Sequence, residues 1–246
     1  MRRLENKLAF ITGGGRGMGA DISRRLAEEG ARVVLTYSKS KEKAEAVAAE
    51  INAKGGDASA VKADNSDPKA LTSVIQNTIA ALGPIDILVN NAGIYIGKEF
   101  ESHTLEDYEE IMGINVRAVY VASLAVAAQM PNKGRIISIG SNMAENSLSP
   151  QTTLYTMSKA ALAGFTRGLA RDLGAKGITV NLVQPGPIHT EMNPSDTDLA
   201  DFLRSRMALS EYGTGDDIAG LVAYLASEEG KYITGTAITI DGGLNA

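Results

Sequence analysis

Short apolar and β-branched runs alternate with longer amphipathic stretches along most of the chain. Seven runs are predicted to be strands: 7–11, 32–36, 58–62, 86–89, 135–139, 178–183 and 236–240. The longer stretches have helical periodicity: 18–29, 40–53, 67–82, 105–130, 153–174 and 216–227. Because several runs are apolar throughout, helices should cover both faces of the sheet. The pattern predicts an α/β fold: one Rossmann-type domain over 1–246 with a doubly wound parallel sheet of seven strands.

One long stretch, about 186–214, does not follow this alternation of strands and helices. It contains Pro187 and Pro194 around a short helical piece. A segment of this length without regular structure is usually functional in a compact domain. We therefore expect it to be a lid over the substrate.

Composition excludes several classes of function. The formal net charge is -5 and no stripe of Lys and Arg is present, which argues against a nucleic-acid partner. The chain has no cysteine, which rules out disulfides and thiol catalysis and fits a reducing cytoplasm. With two histidines and no cysteine, no metal site is expected. We also expect no membrane association, since no uninterrupted apolar run approaches the ~18 residues of a membrane span and no signal-peptide core is seen.

The first predicted strand is followed by the sequence T-G-G-G-R-G-M-G, residues 12–19. Glycines at this density cost backbone entropy, which indicates that something approaches the backbone closely. Two dinucleotide-binding patterns overlap here, one on Gly15, Gly17 and Ala20, the other on Gly13, Gly17 and Gly19. Either pattern gives a bare turn and a helix N-terminus that faces a pyrophosphate. Nucleotide binding is the interpretation we favour over a purely structural turn.

The end of the second strand indicates which dinucleotide binds. An NAD site usually has Asp or Glu there, about 20 residues after the glycines, to bind the ribose 2′-hydroxyl. This chain instead has Tyr37, Ser38 and Lys39, with no carboxylate before Glu42. Arg16 in the glycine turn could join Ser38 and Lys39 around a 2′-phosphate, although Lys39 could also belong to a solvated helix start. The sequence therefore predicts NADP as the cofactor.

Tyr155 and Lys159 are four residues apart, so they share one face of a helix. A free phenol titrates near ~10 and is a poor acid or base at neutral pH. A fixed ammonium group beside it should favour the phenolate and lower that pKa. Ser141 follows a strand end, where its hydroxyl can hold a substrate oxygen. Singly, Tyr155 fits a core aromatic and Ser141 a turn cap, but together they indicate proton transfer at a carbonyl or alcohol.

Further motifs complete an ordered set at the strand ends. They are N-N-A-G at 90–93, a helical Asn115, G-S at 140–141, Y-T-M-S-K at 155–159 and P-G-P-I-H-T at 185–190. With the glycine turn, the set resembles the short-chain dehydrogenase/reductase family over essentially the whole chain. The overall sequence pattern is similar to that of the branch that contains ketoreductases and 3-oxoacyl-(acyl carrier protein) reductases.

The resemblance implies a role for each catalytic candidate. Tyr155 would donate a proton to the carbonyl, and Ser141 would polarise it. Lys159 would also bind the nicotinamide ribose, and Asn115 would hold a water in a proton relay that begins at Lys159. The cofactor-binding residues would be Gly13, Gly15, Arg16, Gly17, Met18, Gly19, Tyr37, Ser38, Lys39, Asp64, Asn65, Asn91, Ala92, Gly93, Tyr155, Lys159, Pro185, Gly186, Ile188 and Thr190.

The expected substrate wall is mostly apolar, with one charge. Its candidate residues are Ile94, Tyr95, Met143, Glu145, Leu154 and Met192. Such a wall favours a small neutral ketone or alcohol over a keto acid. We therefore expect an NADPH-dependent carbonyl reductase. The alternatives are a 3-oxoacyl-thioester reductase, against which the lid offers only Arg204 and Arg206 as basic residues, and a non-catalytic nucleotide-binding regulator.

The helices over 105–130 and 153–174 have apolar residues on more than one face. A helix that is apolar around most of its circumference needs burial beyond its own sheet. The last strand, 236–240, and the glycines that follow it resemble a second interface of tetramers in the family. A homotetramer is therefore expected.

Overall fold

The computed structural model describes residues 2–191 and 193–246. Its strands are β1 (Leu8–Thr12), β2 (Arg32–Tyr37), β3 (Asp57–Lys62), β4 (Ile87–Asn90), β5 (Arg135–Ile139), β6 (Thr179–Pro185) and β7 (Ala237–Ile240). They pair in parallel in the order β3-β2-β1-β4-β5-β6-β7. The order reverses between β1 and β4, and such a reversal opens a crevice at the carboxyl ends of the strands. The predicted Rossmann-type sheet of seven strands is confirmed.

Helices cover both faces of this sheet. They are α1 (Gly17–Glu28), α2 (Lys41–Ala53), α3 (Pro68–Leu82), α4 (Leu105–Met112), α5 (Ala118–Ala127), α6 (Thr153–Leu173), α7 (Asp198–Arg204) and α8 (Gly215–Ala226). Successive residues of a strand point to opposite faces. Ile11 of β1 therefore packs with α1, α2 and α8, whereas the neighbouring Phe10 packs with α3, α5 and α6.

Local sequence fixes where these helices begin. Asp67 caps α3, since its carboxylate accepts the N–H groups of Lys69 and Ala70, and Pro68 stands at the first helical position. Thr214 and Asp217 form a reciprocal capping box at the start of α8. These caps direct each helix away from the carboxyl ends of the strands.

The continuous helix expected over 105–130 is interrupted. A π-helical turn, Gly113–Arg117, separates α4 from α5, and α5 ends at Ala127. A π turn adds one residue to a helical turn and often lies at a functional site. Here the turn contains Asn115, which is buried. The segment Leu105–Ala127 is also long and apolar enough, by length and composition alone, to cross a membrane, but residues of α5 pack in the core beneath the sheet.

The irregular segment 186–214 leaves the end of β6 and returns to the start of α8. Its two ends are tied together: the N–H of His189 donates to the Gly213 carbonyl at 2.9 Å, and the N–H of Gly213 donates to the Pro187 carbonyl at 3.0 Å. Helix α7 lies within the segment. The segment therefore projects from the carboxyl edge of the sheet, on the same side as the crevice.

Candidate active site

A cleft of about 470 Å³ lies at the carboxyl edge of the sheet. The glycine turn, the end of β2 and the loop after β4 form its walls, and Tyr155 and Lys159 reach it from α6. Most of the predicted cofactor-binding residues line it: Gly13, Gly15, Arg16, Gly17, Met18, Gly19, Tyr37, Ser38, Lys39, Asp64, Asn65, Asn91, Ala92, Gly93, Tyr155, Lys159 and Thr190. The fold thus brings together motifs that are far apart in the sequence.

The glycine turn is packed tightly against the loop after β4. A side chain at Gly19 would collide with the Gly13 carbonyl and the Asn91 carboxamide. The Asn91 amide donates to the carbonyls of Thr12 and Gly13 at 3.1 and 3.0 Å. The Thr12 hydroxyl accepts the N–H groups of Asn91 and Ala92 at 3.0 and 3.1 Å. These bonds fix a bare backbone turn at the N-terminus of α1, where unpaired N–H groups favour a phosphate.

Positive side chains lie at the β2 end of the cleft. Arg16 and Lys39 line it together with Ser38 and Asp64. Hydrogen bonds from the N–H and hydroxyl of Ser66 lower the pKa of the Asp64 carboxyl, and the charge of Lys39 contributes to the same shift. Glu191 also lines the cleft, where it pairs with Lys43 and lies close to Arg16. With Asp64 ionised, three cations face two anions at this end, and the positive balance suits a phosphate.

Ser141 caps a short 3₁₀ turn, Asn142–Ala144, that follows β5. Its Oγ accepts the N–H of Met143 at 3.2 Å, and the side chain is nearly buried. Across the site, the Lys159 Nζ lies 5.7 Å from the centre of the Tyr155 ring and donates to the Ile139 carbonyl at 2.9 Å. Tyr155 and Lys159 thus line one end of the cleft, and Ser141 lies within hydrogen-bonding reach of the Tyr155 hydroxyl.

Burial controls both ionisable groups of this trio. It raises the pKa of Tyr155, although the hydroxyl of Ser141 acts in the opposite direction. It also lowers the pKa of Lys159 to about 8. The expectation that the ammonium group would lower the phenol pKa is corrected here, because loss of solvent around the phenolate is the larger effect. A phenol that stays protonated at neutral pH is suited to proton donation.

Asn115 joins three elements around the trio. Its Oδ1 accepts the N–H of Ile94 at 2.9 Å, and its Nδ2 donates to the Ile94 carbonyl and to the Ser158 Oγ, each at 3.0 Å. The π turn directs this side chain inward, where it braces the loop after β4 against α6. Its part in a proton relay stays a prediction.

Two predicted substrate residues lie beside the trio. Ile94 lines the cleft, and the Tyr95 ring stands edge-on to the Tyr155 ring with centroids 5.1 Å apart. The Tyr95 hydroxyl donates to the Gln151 carbonyl at 3.4 Å. A side chain at Gly97 would collide with the Tyr95 ring, so this glycine lets the ring fold back over the site.

Other predicted residues do not line this cleft in the described part of the chain. They are Tyr95, Asn115, Ser141, Met143, Glu145, Leu154, Pro185, Gly186 and Ile188. Leu154 is buried, and Glu145 is exposed. Ile188 packs into the core on the α1 side of the sheet, and Gly186 lies against Asp241. Met192 lies outside the described residues.

A family model described as Enoyl-(Acyl carrier protein) reductase matches residues 13–245. The chain belongs to the short-chain dehydrogenase/reductase family. It is therefore an oxidoreductase, and the resemblance drawn from the sequence motifs is confirmed.

Individual short-chain dehydrogenase/reductase relatives match over nearly the whole length. A short-chain dehydrogenase from Burkholderia cenocepacia, solved in complex with NADP, is 51% identical with a TM-score of 0.97, covering 99% of this chain and 100% of that one. The cyclic-di-GMP-binding biofilm dispersal mediator protein of Escherichia coli is 42% identical, with 100% of both chains covered. A 3-oxoacyl-(acyl carrier protein) reductase of Staphylococcus aureus is 37% identical, over 97% of this chain and 98% of its own.

The cleft of this short-chain dehydrogenase/reductase also contains residues that no motif singled out. They are Thr36, Ser40, Ala63, Ser66, Glu110, Ile114, Ile139 and Glu191. Ser40 and Ser66 directly follow predicted residues, so neighbourhood in the sequence could have found them. Glu110 and Ile114 come from α4 and the π turn, whose approach to the cleft no local pattern indicates.

Proposed function

We propose that this chain is an NADPH-dependent carbonyl reductase that reduces neutral ketones and oxidises the corresponding alcohols in reverse. The observation that carries the proposal is a partly buried Tyr155, flanked by Ser141 and Lys159, at one end of a cleft. Arg16 and Lys39 line the other end. The Burkholderia relative solved with NADP supports the choice of cofactor.

The residues of the cleft fit this cofactor. The crowded backbone at Gly13 and Gly19 has no room for side chains, as a pyrophosphate site requires. Arg16, Ser38 and Lys39 would hold the 2′-phosphate. The adenine would lie beside Asp64, and the nicotinamide ribose would hydrogen-bond to Tyr155 and Lys159. When bound, NADPH supplies the hydride.

The geometry of Ser141, Tyr155 and Lys159 indicates which group protonates the substrate oxygen. Because the Ser141 Oγ accepts the Met143 N–H, its own hydrogen is free to donate to a substrate carbonyl oxygen. Tyr155, kept protonated by burial, donates its proton to the same oxygen as negative charge develops there. The ammonium of Lys159 stabilises the phenolate that remains, because opposite charges at short range favour the ionised form.

Charge selects against anionic substrates. A keto acid would need a guanidinium clamp, yet Arg204 is bonded to the Ser195 carbonyl and to Asp201, and Arg206 stacks on Phe202 with 4.8 Å to the ring centre. We propose that the segment 186–214 is the lid over this substrate end.

Two relatives motivate competing functions. The Staphylococcus aureus relative acts, by its name, on 3-oxoacyl groups of an acyl carrier protein. The engagement of Arg204 and Arg206 weighs against a carrier that docks on basic residues of the lid. The Escherichia coli relative binds cyclic-di-GMP by its name, which favours a ligand-binding regulator as second candidate. The assembled trio of Ser141, Tyr155 and Lys159 weighs against a role without turnover.

We also propose a homotetramer in the cytoplasm. The inner residues Val119 and Ala122 of α5 are buried, but Tyr120 and Leu124 on its outer side are 53% and 59% exposed. Tyr120 pairs edge-on with Phe165 of α6 at 6.3 Å, which makes a joint apolar surface of α5 and α6. Such patches usually mark interfaces. Light scattering that shows a monomer at micromolar concentration would contradict this assembly.

A carbonyl panel with NADPH and NADH, followed by chiral analysis of the alcohols, tests the function. Each neutral aryl-alkyl or cyclic ketone is paired with the same skeleton carrying a carboxylate. The neutral member should have the higher kcat/KM, by about tenfold, the equivalent of ~1.4 kcal/mol. A tenfold advantage for 3-oxoacyl thioesters would instead indicate the thioester reductase. NADPH binding without turnover, with cyclic-di-GMP displacing NADPH, would indicate the regulator.

A further inference from the structure

The turn that follows β7, residues 241–245, touches three parts of the site at once. Its Gly242 carbonyl accepts the N–H of Leu209, close to the end of the lid segment, at 3.0 Å. Its Asp241 leaves no room for a side chain at Gly186, in the loop after β6. Its Asn245 bonds to Asn142, next to Ser141. None of the sequence motifs assigns this turn a part in catalysis.

The contact with Asn142 is reciprocal and nearly buried. Asn142 is 4% exposed. Its Nδ2 donates to the Asn245 Oδ1 at 3.3 Å and to the Asp241 Oδ2 at 3.4 Å. In return, the Asn245 Nδ2 donates to the Asn142 carbonyl at 2.9 Å. Both the side chain and the backbone of Asn142 are therefore held by the same turn.

The turn itself is braced by one carboxylate. Asp241 accepts the N–H of Gly243 at 2.9 Å and the N–H of Asn245 at 3.0 Å. Asp241 is 9% exposed, so these bonds are largely shielded from water. Such a local bond between an Asp side chain and following N–H groups sets the backbone of a turn. The turn braced by Asp241 thus fixes the position of the Asn245 carboxamide.

Asn142 in turn belongs to the 3₁₀ turn that orients Ser141. It is the first residue of the 3₁₀ turn that Ser141 caps, and its carbonyl also accepts the N–H groups of Glu145 and Asn146 at 3.0 and 3.2 Å. Within this turn, the Met143 N–H donates to the Ser141 Oγ. We infer that Asn142 and Asn245 are positioning residues, which hold the 3₁₀ turn so that the Ser141 hydroxyl faces the substrate carbonyl. The inference rests on the proposed carbonyl reductase function.

The variant Asn245→Ala tests this role in the full chain. The kcat for the best neutral ketone of the panel should fall about tenfold, equivalent to ~1.4 kcal/mol of barrier, while the Kd for NADPH stays within about twofold of the parent value. Asn142→Ala should give a similar loss. The double variant should lose little more than either single one, because the two residues act through one contact. Asn146→Ala is the matched control: it removes an exposed asparagine from the same loop and should leave kcat unchanged.

Amide hydrogen exchange provides a readout that does not need turnover. In Asn245→Ala, the amides of Met143 and Glu145 should exchange faster, whereas those of the glycine turn at 13–19 should not change. If exchange at Met143 matches the parent protein, the inference is wrong whatever the kinetics. A parallel loss of NADPH affinity and kcat would also overturn it, because that result indicates general destabilisation. If the parent protein reduces no ketone, the proposed function fails, and the exchange experiment alone decides the positioning role.

Discussion

The cofactor end of the cleft, beside β1 and β2, is formed largely by backbone, whereas the substrate end, beside β5 and β6, is formed by side chains on loops. At the first end, Gly13 and Gly19 pack against Asn91 with no space for added atoms. At the second end, Tyr95 and the 3₁₀ turn after Ser141 depend on contacts with distant segments. Backbone geometry suits a ligand shared by a whole family, and loop side chains suit a substrate that differs between members.

An ion pair joins α2, at the cofactor end, to the segment 186–214. Lys43 of α2 lies 2.6 Å from Glu191 of the lid segment, and both side chains are more than half exposed. An exposed pair of this kind contributes little stability. We therefore expect most substitutions to act mainly at their own end.

The largest effect is expected from Tyr155→Phe. The ring and its packing remain but the proton is lost, so kcat for ketone reduction should fall by about 10² or more. The Kd for NADPH should change little, since the variant loses one hydrogen bond to the ribose and keeps the glycine turn, Arg16 and Lys39. Steady-state kinetics and fluorescence titration with NADPH give the two values. Near-normal turnover in this variant would exclude Tyr155 as the proton donor.

The pH profile of the parent enzyme sharpens this test. Lys159 is charged below its lowered pKa of about 8 and loses its charge as pH rises through that value. Reduction should therefore be steady near neutral pH and decline above about pH 8, as the phenolate loses its stabilising partner. A rate that increases through this range would contradict the assigned direction of proton transfer.

A smaller effect is expected from Arg16→Ala at the cofactor end. Loss of one charge-assisted contact should raise the KM for NADPH about tenfold and leave that for NADH almost unchanged. Tyr37→Asp should shift preference toward NADH, because a carboxylate repels the 2′-phosphate and accepts the 2′-hydroxyl. Arg171→Ala, at an exposed arginine of α6, is the matched control. Equal kcat/KM values of the parent enzyme with NADPH and NADH would show that Arg16 does not discriminate between them through the 2′-phosphate.

The same contrast explains what could be predicted from the sequence. The strands follow from local patterning: 7–11 was expected and Leu8–Thr12 is observed, because buried parallel strands read as continuous apolar runs. The cofactor end follows from motifs, because glycines and a helix N-terminus carry their geometry in a few neighbouring residues. Residues of this end such as Arg16 and Lys39 accordingly line the cleft as expected.

The substrate end depends on long-range packing, and there the predictions differ from the structure. The π turn at Asn115 leaves the apolar pattern of its helix unbroken, so periodicity cannot reveal it. Ile188 lies in the expected loop, but its side chain packs into the core beneath it. The raised pKa of Tyr155 depends on burial by several elements, which a four-residue spacing does not encode. The contact of Asn142 with Asn245 joins residues 103 apart in the sequence.

The smallest effect is expected from Tyr95→Ala, which enlarges the substrate end without touching the cofactor end. Removal of the ring frees space beside Tyr155, so the ratio of kcat/KM values for bulky and small ketones should change by about fivefold, equivalent to ~1 kcal/mol. The ratio should rise, because the ring that borders the site is removed while the loop stays tied by Asn115 to Ile94. Competition between two ketones in one vessel measures the ratio directly.

Tyr232→Ala, which removes a tyrosine that is 98% exposed, should leave this ratio unchanged. A loss of NADPH affinity in Tyr95→Ala would show that the two ends are coupled, and an unchanged ratio would show that the Tyr95 ring does not border the substrate.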